Sequence, residues 1–291
     1  KVALIEKNFY KNFKIYLKSK EKISYKPFPR PHLLVEKASL NFNKTTKYKN
    51  SINTSNLKIY ISLRNIYLRS FSKFVSTEIS DTNINLKITD IKELRNHLYK
   101  KINKPIILNN CKIFLRNKKS EVILISPLKK IKYKINEKSK TKNLDIFGKV
   151  FGLDFKSEWK RNYLTPKNSS HSINIYNPNL DIKNNFEFNE VNNFKGQSDI
   201  TYYQDKMQHN IQFENNIINI SSQISKKTNF NINSKIQLNP FYFDGQLLIK
   251  NKKIEDLVDT LLFYLLIYNE KYLGNLNGNL KIKFDKLKNK L

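Results

Sequence analysis

The residues of this chain with the widest chemical reach are four histidines and one cysteine, so their spacing is the first thing to test. His32, His97, His171 and His209 stand far apart in sequence, and Cys111 has no second thiol to join it. A metal centre needs several such ligands converging, and nothing of the HExxH or CxxC kind is present. Cys111 occupies an apolar position in an alternating run, which favours a core thiol over a nucleophile. Carboxylates form only the near pairs Glu187/Glu190 and Asp256/Asp259, read most simply as a solvated strand-and-loop and a helix face. There is no GxGxxG, P-loop or nucleophile elbow. The expectation is a non-enzymatic protein with no cofactor and no metal.

The composition narrows the class further. The 291 residues carry 54 Lys+Arg against 24 Asp+Glu, a net charge of +30, with 6 Gly and 1 Cys. A disulfide scaffold and a collagen-like repeat are thereby excluded. Hydrophobic content of 39% with 12% aromatics is enough to build a core. The positive balance invites a nucleic-acid reading, yet the only arginines are Arg30, Arg64, Arg69, Arg95, Arg116 and Arg161. Bidentate phosphate recognition favours Arg over Lys, and the lysines are spread along the whole chain. Abundant Lys, Asn, Ile, Phe and Tyr are also what an A/T-rich coding sequence supplies. A solvated charged face is the simpler reading, with no specific nucleic-acid partner.

Hydrophobic periodicity sets the elements. Leu57, Ile59, Ile61 and Leu63 alternate with polar residues, the period-2 signature of a half-buried strand. The same alternation recurs through Ile84/Leu86, Cys111/Ile113/Leu115, Ile131/Tyr133/Ile135 and Phe151/Leu153/Phe155, with Trp159 on the parity of Phe155. It continues through Leu180/Ile182, Ile211/Phe213, Ile218/Ile220, Phe230/Ile232/Ile236 and Phe241/Phe243/Leu247. Short polar breaks such as Asn215-Asn216 permit only antiparallel neighbours. The expected fold is mostly β: a long antiparallel β-meander of about fifteen strands, curled into an elongated groove, with about three short helices.

Those helices are expected over residues 2–17, over 91–102 and over 254–268. The second is opened by Asp90 with Glu93 three residues on, as in a capping box. Pro27, Pro29 and Pro31 impose an extended approach to the strand that follows. Three regions result: a helical segment over 1–26, a first β region over 27–137 with an inserted helix near 91–102, and a second β-meander over 138–291 with a helix near 254–268. No run approaches the roughly 18 apolar residues of a membrane-spanning helix. The chain begins at Lys1 instead of Met, which suggests a fragment or processed form.

Several stretches together resemble AsmA-like proteins. Tyr25-Lys26-Pro27-Phe28-Pro29-Arg30-Pro31 leading into His32-Leu33-Leu34-Val35-Glu36-Lys37-Ala38-Ser39-Leu40 is similar to the start of that family. Ile146-Phe147-Gly148-Lys149-Val150-Phe151-Gly152-Leu153, Leu238-Asn239-Pro240-Phe241-Tyr242-Phe243-Asp244-Gly245, and Leu273-Gly274-Asn275-Leu276-Asn277-Gly278-Asn279-Leu280 add to the likeness. The resemblance implies a bacterial envelope protein, related to TamB and to bridge-like lipid-transfer proteins, with a groove that carries phospholipid acyl chains. It implies a periplasmic location, an inner-membrane anchor upstream of this sequence and a part in outer-membrane biogenesis.

The residues themselves leave two outcomes open for the apolar parity. It lines a trough, which fifteen strands would extend to about 70 Å, or it closes into packed sandwiches. On the first outcome the groove candidates are Ile211, Phe213, Ile218, Ile220, Phe230, Ile232, Ile236, Phe241, Phe243 and Leu247. An alternative is an assembly scaffold that pairs its edge with strands of outer-membrane proteins.

Overall fold

The structure, a computed structural model, describes residues 2–42, 52–67, 73–87, 90–117, 119–150, 152–165, 167–177, 179–189, 193–202, 205–222, 230–238, 240–250 and 277–285. The chain is mostly β, as its alternation requires, and divides into two compact units, Lys1–Val150 and Phe151–Leu291.

The first unit opens with helix α1 (Val2–Phe13), shorter than expected. Lys14 takes the left-handed conformation (φ 57°) while its N–H donates to Tyr10 O at 2.8 Å, which stops the helix. Strands β1 (Tyr16–Ser19) and β2 (Ile23–Lys26) follow, so residues 16–26 are not helical. They pair antiparallel with β4 (Ala38–Asn41) and β3 (His32–Val35) respectively, forming one long interrupted hairpin. Its tip is the proline segment 27–31, with a cis Phe28–Pro29 bond. Both β3 and β4 pair with β5 (Ile52–Ile61), which pairs with β6 (Phe74–Lys87). The short helix α2 (Leu63–Tyr67) lies between these last two strands.

Next come α3 (Ile91–Asn96), a π-helical turn (His97–Lys101) and strands β7 (Ile106–Arg116), β8 (Val122–Asn136) and β9 (Thr141–Val150). The helix near 91–102 is present, but Asp90 (φ −90°) already has helical geometry and makes no side-chain cap bond. The strands are not all antiparallel. β6 and β7 run parallel, because the connection holding α3 is long enough to carry the chain back to the starting end.

Buried parity in this unit changes partway along each of β5 to β8. On β5 the buried residues pass from Ile52 and Thr54 to Leu57, Ile59 and Ile61, and on β6 from Thr77 and Ile79 to Thr82 and Ile84. At one level Ser55, Asp81, Asn110 and Lys129 drop out of the ladder together, and opposite β9 Lys129 is an extra residue that shifts the register. Extra residues bend strands and sharpen their twist. Asp81 and Asn110 sit at φ 52° and 49°, and Asp and Asn tolerate this left-handed region best among non-glycine residues. Beside this irregular rung, Thr54 Oγ1 donates to Ser80 O (3.0 Å) and Thr82 Oγ1 to Asn53 O (2.6 Å), satisfying carbonyls there. Asn110→Val should therefore cost about 1–2 kcal/mol, and Asn110→Gly almost nothing, read as the shift in urea midpoint.

The apolar face of the first unit is closed where α1 and the α3 segment cover it, while beyond the irregular rung Leu86, Ile113, Leu115 and Leu124 are half-buried. Phe9, Phe13, Val35, Leu57, Ile59 and Ile102 are all at 0% exposure. Helix α1 stacks Phe13 on Phe74 (6.5 Å between ring centroids), and Asn12 Oδ1 accepts the Phe74 N–H at 3.3 Å. The end of the π-helical turn is tied down by Tyr133 Oη, which donates to Leu98 O (2.8 Å) and Ile102 O (3.1 Å). Lys142 Nζ donates to Ile102 O and Asn103 Oδ1, each at 2.9 Å. Burial lowers the Lys142 pKa, and these acceptors are what keep a buried lysine tolerable there.

The second unit is a meander of β10 (Leu153–Asn162), β11 (Asn168–Ile175), β12 (Leu180–Phe188), β13 (Phe194–Tyr202), β14 (Asp205–Glu214), β15 (Ile217–Ser222), β16 (Phe230–Leu238) and β17 (Phe241–Lys250), each antiparallel to the next. Asn215 and Asn216 (φ 49° and 65°) make the two-residue turn between β14 and β15, both central residues having the positive φ of a type I′ hairpin. Strand β18 (Asn277–Asp285) joins β17 in parallel, again after a long connection. The helix expected near 254–268 lies outside the described residues. Among those described, no helix is long and apolar enough to cross a membrane.

Candidate functional site

The register of the second unit sorts its side chains into rows that run across the strands. Directly opposed residues share a face, so one row follows from the next. The first such row is Phe188, Phe194, Phe213, Ile218, Ile236 and Phe243, one residue from each of β12 to β17. The second is Phe186, Gly196, Ile211, Ile220, Ser234 and Gly245 on the same strands. Between them lies an outward row of Glu187, Lys195, Gln212, Asn219, Lys235 and Asp244. Acidic and basic groups alternate on the outward side, with ion pairs such as Lys195–Glu187 (3.6 Å) and Lys183–Asp181 (3.5 Å).

These rows bring most of the groove candidates together on one face. Phe213, Ile218, Ile236 and Phe243 fall in the first row and Ile211 and Ile220 in the second, all half-buried. Ile232 and Leu247 are opposed in a third row; Phe230 and Phe241 hold register positions opposite Ile249 and Leu238. Aromatic stacking ties the first row together: Phe194 lies 5.1 Å from Phe213 and 5.5 Å from Phe188. Phe243 lies over two glycines, since a Cβ on Gly245 would meet its ring and one on Gly278 would meet its Cβ at 2.8 Å.

The third row was not anticipated from the sequence. It reads Trp159, His171, Asn184, Ser198, His209 and Ser222 before passing to Ile232, Leu247 and Ile282. Six neighbouring strands each place a polar or amphipathic group there, on the same face as the apolar rows. Asn184, Ser198 and His209 are at 7%, 2% and 1% exposure. Trp159 stacks on His171 at 4.1 Å, consistent with a packing role for the lone tryptophan. His171 Nε2 lies 2.9 Å from Ser157 Oγ, and its Nδ1 3.4 Å from Asn184 Nδ2. Ser222 Oγ receives the Ile232 N–H (2.6 Å) and lies 3.1 Å from both Ile232 O and His209 Nδ1. Among the described residues, His209 Nε2 and Asn184 Oδ1 have no hydrogen-bond partner. The signal was present in sequence: these strands carry polar residues on their apolar parity, two of them on β11 (Ser169 and His171), but only the register reveals which align.

Where this row continues into Ile232, Leu247 and Ile282 it joins a packed core that extends to the side away from the Phe and Ile rows. Met207, Leu247 and Ile249 form a buried cluster against Ile200, Tyr202, Ile232 and Ile282. The polar row therefore separates a packed region from the half-buried Phe and Ile rows.

The remaining chemistry-bearing residues are scattered. His32 is buried against Tyr60, its Nδ1 2.7 Å from Arg30 O, and His97 lies edge-on to Phe42. Cys111 is buried, and burial pushes its thiol up to about 11, far from a reactive thiolate at neutral pH. Among the described residues no group of His, Cys, Asp and Glu is placed to hold a metal ion.

Burial also lowers the pKa of His97, His171 and His209, that of His171 to about 4. The unfolded chain then binds protons near pH 6.5 that the folded chain refuses. Their contribution to stability is complete above about pH 6.5 and is lost as pH falls towards about 4. His171 alone should account for up to about 3 kcal/mol across that window. A series of urea midpoints from pH 8 to 4.5 should fall with pH, with a shallower slope for His171→Gln.

Compared with models of known families and with curated protein sequences, the chain matches none.

Proposed function

We propose that the chain is a non-enzymatic, AsmA-like envelope protein that binds or conducts phospholipids along the apolar face of its second unit. The observation that carries this reading is a contrast between the units. The face of the first is sealed where α1 and the α3 segment cover it, with its central residues at 0% exposure, and only Leu86, Ile113, Leu115 and Leu124 beyond the irregular rung are half-buried on it. In the second, Phe194, Ile211, Phe213, Ile218, Ile220, Ile236 and Phe243 stay half-buried in two continuous rows. Contiguous apolar surface of this kind mostly marks a binding site. Rows running across the strands offer hydrocarbon a path about 19 Å long from β13 to β17, next to Phe186 and Phe188 of β12, which are buried. On this reading the protein works in the periplasm, tethered to the inner membrane by a segment outside this sequence, and supports outer-membrane biogenesis.

A second reading, a scaffold for outer-membrane protein strands, draws on β18. Among the described residues it pairs only with β17, and all of its residues but Ile282 are exposed. Unpaired edges of this sort accept an added strand.

The test is uptake of acyl-labelled phospholipid from vesicles by the purified chain. Saturable uptake supports lipid binding. No uptake, together with crosslinks from β18 to a client barrel, would move the choice to the scaffold.

A further inference from the structure

The row Trp159, His171, Asn184, Ser198, His209 and Ser222 is not accounted for by an apolar groove, and it is costly where it stands. A buried polar atom without a partner loses its hydration and receives nothing in return. His209 Nε2 and Asn184 Oδ1 are two such atoms in the same row, two strands or about 10 Å apart, with the Ser198 hydroxyl position between them. Neither tautomer of His209 relieves this, because Ser222 engages Nδ1 alone.

We propose that this row seats the ester neck of a glycerolipid, so that the lipid is gripped by its uncharged oxygens and not by its phosphate. The inference rests on the lipid reading above and names the part of the lipid that is recognised. Three features select a neutral polar group. No side chain in the row carries a permanent charge, and burial holds both imidazoles neutral at pH 7. Arg161, the cation placed beside the row opposite Ser169, stands over the Phe188 ring at 5.0 Å. A phosphate in the row would therefore bring a charge to a site without a counter-charge.

The two unpartnered atoms also suit a neck. A glycerol diester or acylglycerol presents ester carbonyls and, in diacylglycerol, a hydroxyl, over a length comparable to two strand spacings. His209 Nε2 donates to an ester carbonyl in the tautomer that carries its proton, whereas Asn184 Oδ1 needs a donor, which among these necks is the free hydroxyl of diacylglycerol. The half-buried rows of Phe213, Ile218, Ile220 and Phe243 lie to one side of the polar row, where the acyl chains would lie. Because the row repeats from strand to strand, it offers successive seats along the direction of the apolar path.

The experiment compares two probes on the full chain: dioleoylglycerol, which has the neck oxygens, and squalene, which has apolar bulk and none. Asn184→Leu and His209→Leu should each weaken dioleoylglycerol binding about five- to tenfold and leave squalene binding unchanged. Ser198→Ala and Ser222→Ala, which change little volume, repeat the test should the leucine variants fail to fold by circular dichroism. Variants that bind both probes like wild type, or lose both equally, overturn the seat while leaving the lipid reading standing. A wild-type chain that binds neither probe overturns both.

Discussion

Replacing Ile220 or Phe243 by lysine should strip the second unit of lipid, lowering uptake of labelled phospholipid by at least about tenfold. Ile220 stands opposite Ile211 on β14 and Ser234 on β16, in the middle of the second apolar row. Phe243 stands opposite Ile236 and lies across the space left by Gly245 and Gly278. A charged ammonium at either place can keep its hydration only by keeping water in the path of the hydrocarbon. Placing acyl chains against an uncompensated charge costs several kcal/mol, which is more than tenfold in affinity. Asn219→Lys is the control, since Asn219 lies between Ile218 and Ile220 in sequence but on the outward face. It should bind lipid like wild type. Loss of uptake in Asn219→Lys equal to that in Ile220→Lys would mean that charge, not the apolar rows, governs binding.

The largest stability effect is expected from Phe13→Ala, about 3–5 kcal/mol in the unfolding of the first unit. Phe13 is wholly buried at the end of α1, with its ring 4.7 Å from Phe9 and 6.5 Å from Phe74. Truncation removes the ring's transfer energy and leaves a cavity among strand residues that cannot collapse, because their positions are set by the ladder. Leu4→Ala on the same helix, exposed at 58%, should change the midpoint little. If both substitutions shift the urea midpoint equally, α1 does not seal the first unit as described. In that case the contrast between the two units disappears.

The fold was legible in the sequence to the extent that its strands alternate. In the second unit Ile211, Phe213, Ile218, Ile220, Ile236 and Phe243 fall on one face because each strand keeps period 2 from end to end. The first unit is less regular. The unpaired residues Ser55, Asp81, Asn110 and Lys129 reverse the parity within single strands, and their types do not mark them as a set, since Ser, Asn and Lys are common throughout this chain. Parallel pairing of β6 with β7 and of β17 with β18 required weighing the long connections before each second strand, not the strands themselves. Strand β1 was missed because Ile15 and Leu17 continue the apolar spacing of α1, and only the left-handed turn at Lys14 separates them.

The groove candidates could be read one strand at a time, whereas the polar row could not. His171, Asn184, Ser198, His209 and Ser222 are individually unremarkable, and they form a row only through four successive registers. Each register depends on turn lengths, such as the two residues Asn215 and Asn216, that hydrophobic patterning does not specify. Histidines 38 positions apart in sequence thus lie three strands apart, about 14 Å, on a single face.

The central claim is that the half-buried apolar rows of the second unit hold lipid. The most direct measurement is native mass spectrometry of the full chain purified without detergent, followed by solvent extraction. The account predicts protein carrying glycerolipid-sized adducts that are absent from Ile220→Lys and retained in Asn219→Lys. Bare protein alone, with no extractable lipid even after incubation with phospholipid vesicles, would contradict it.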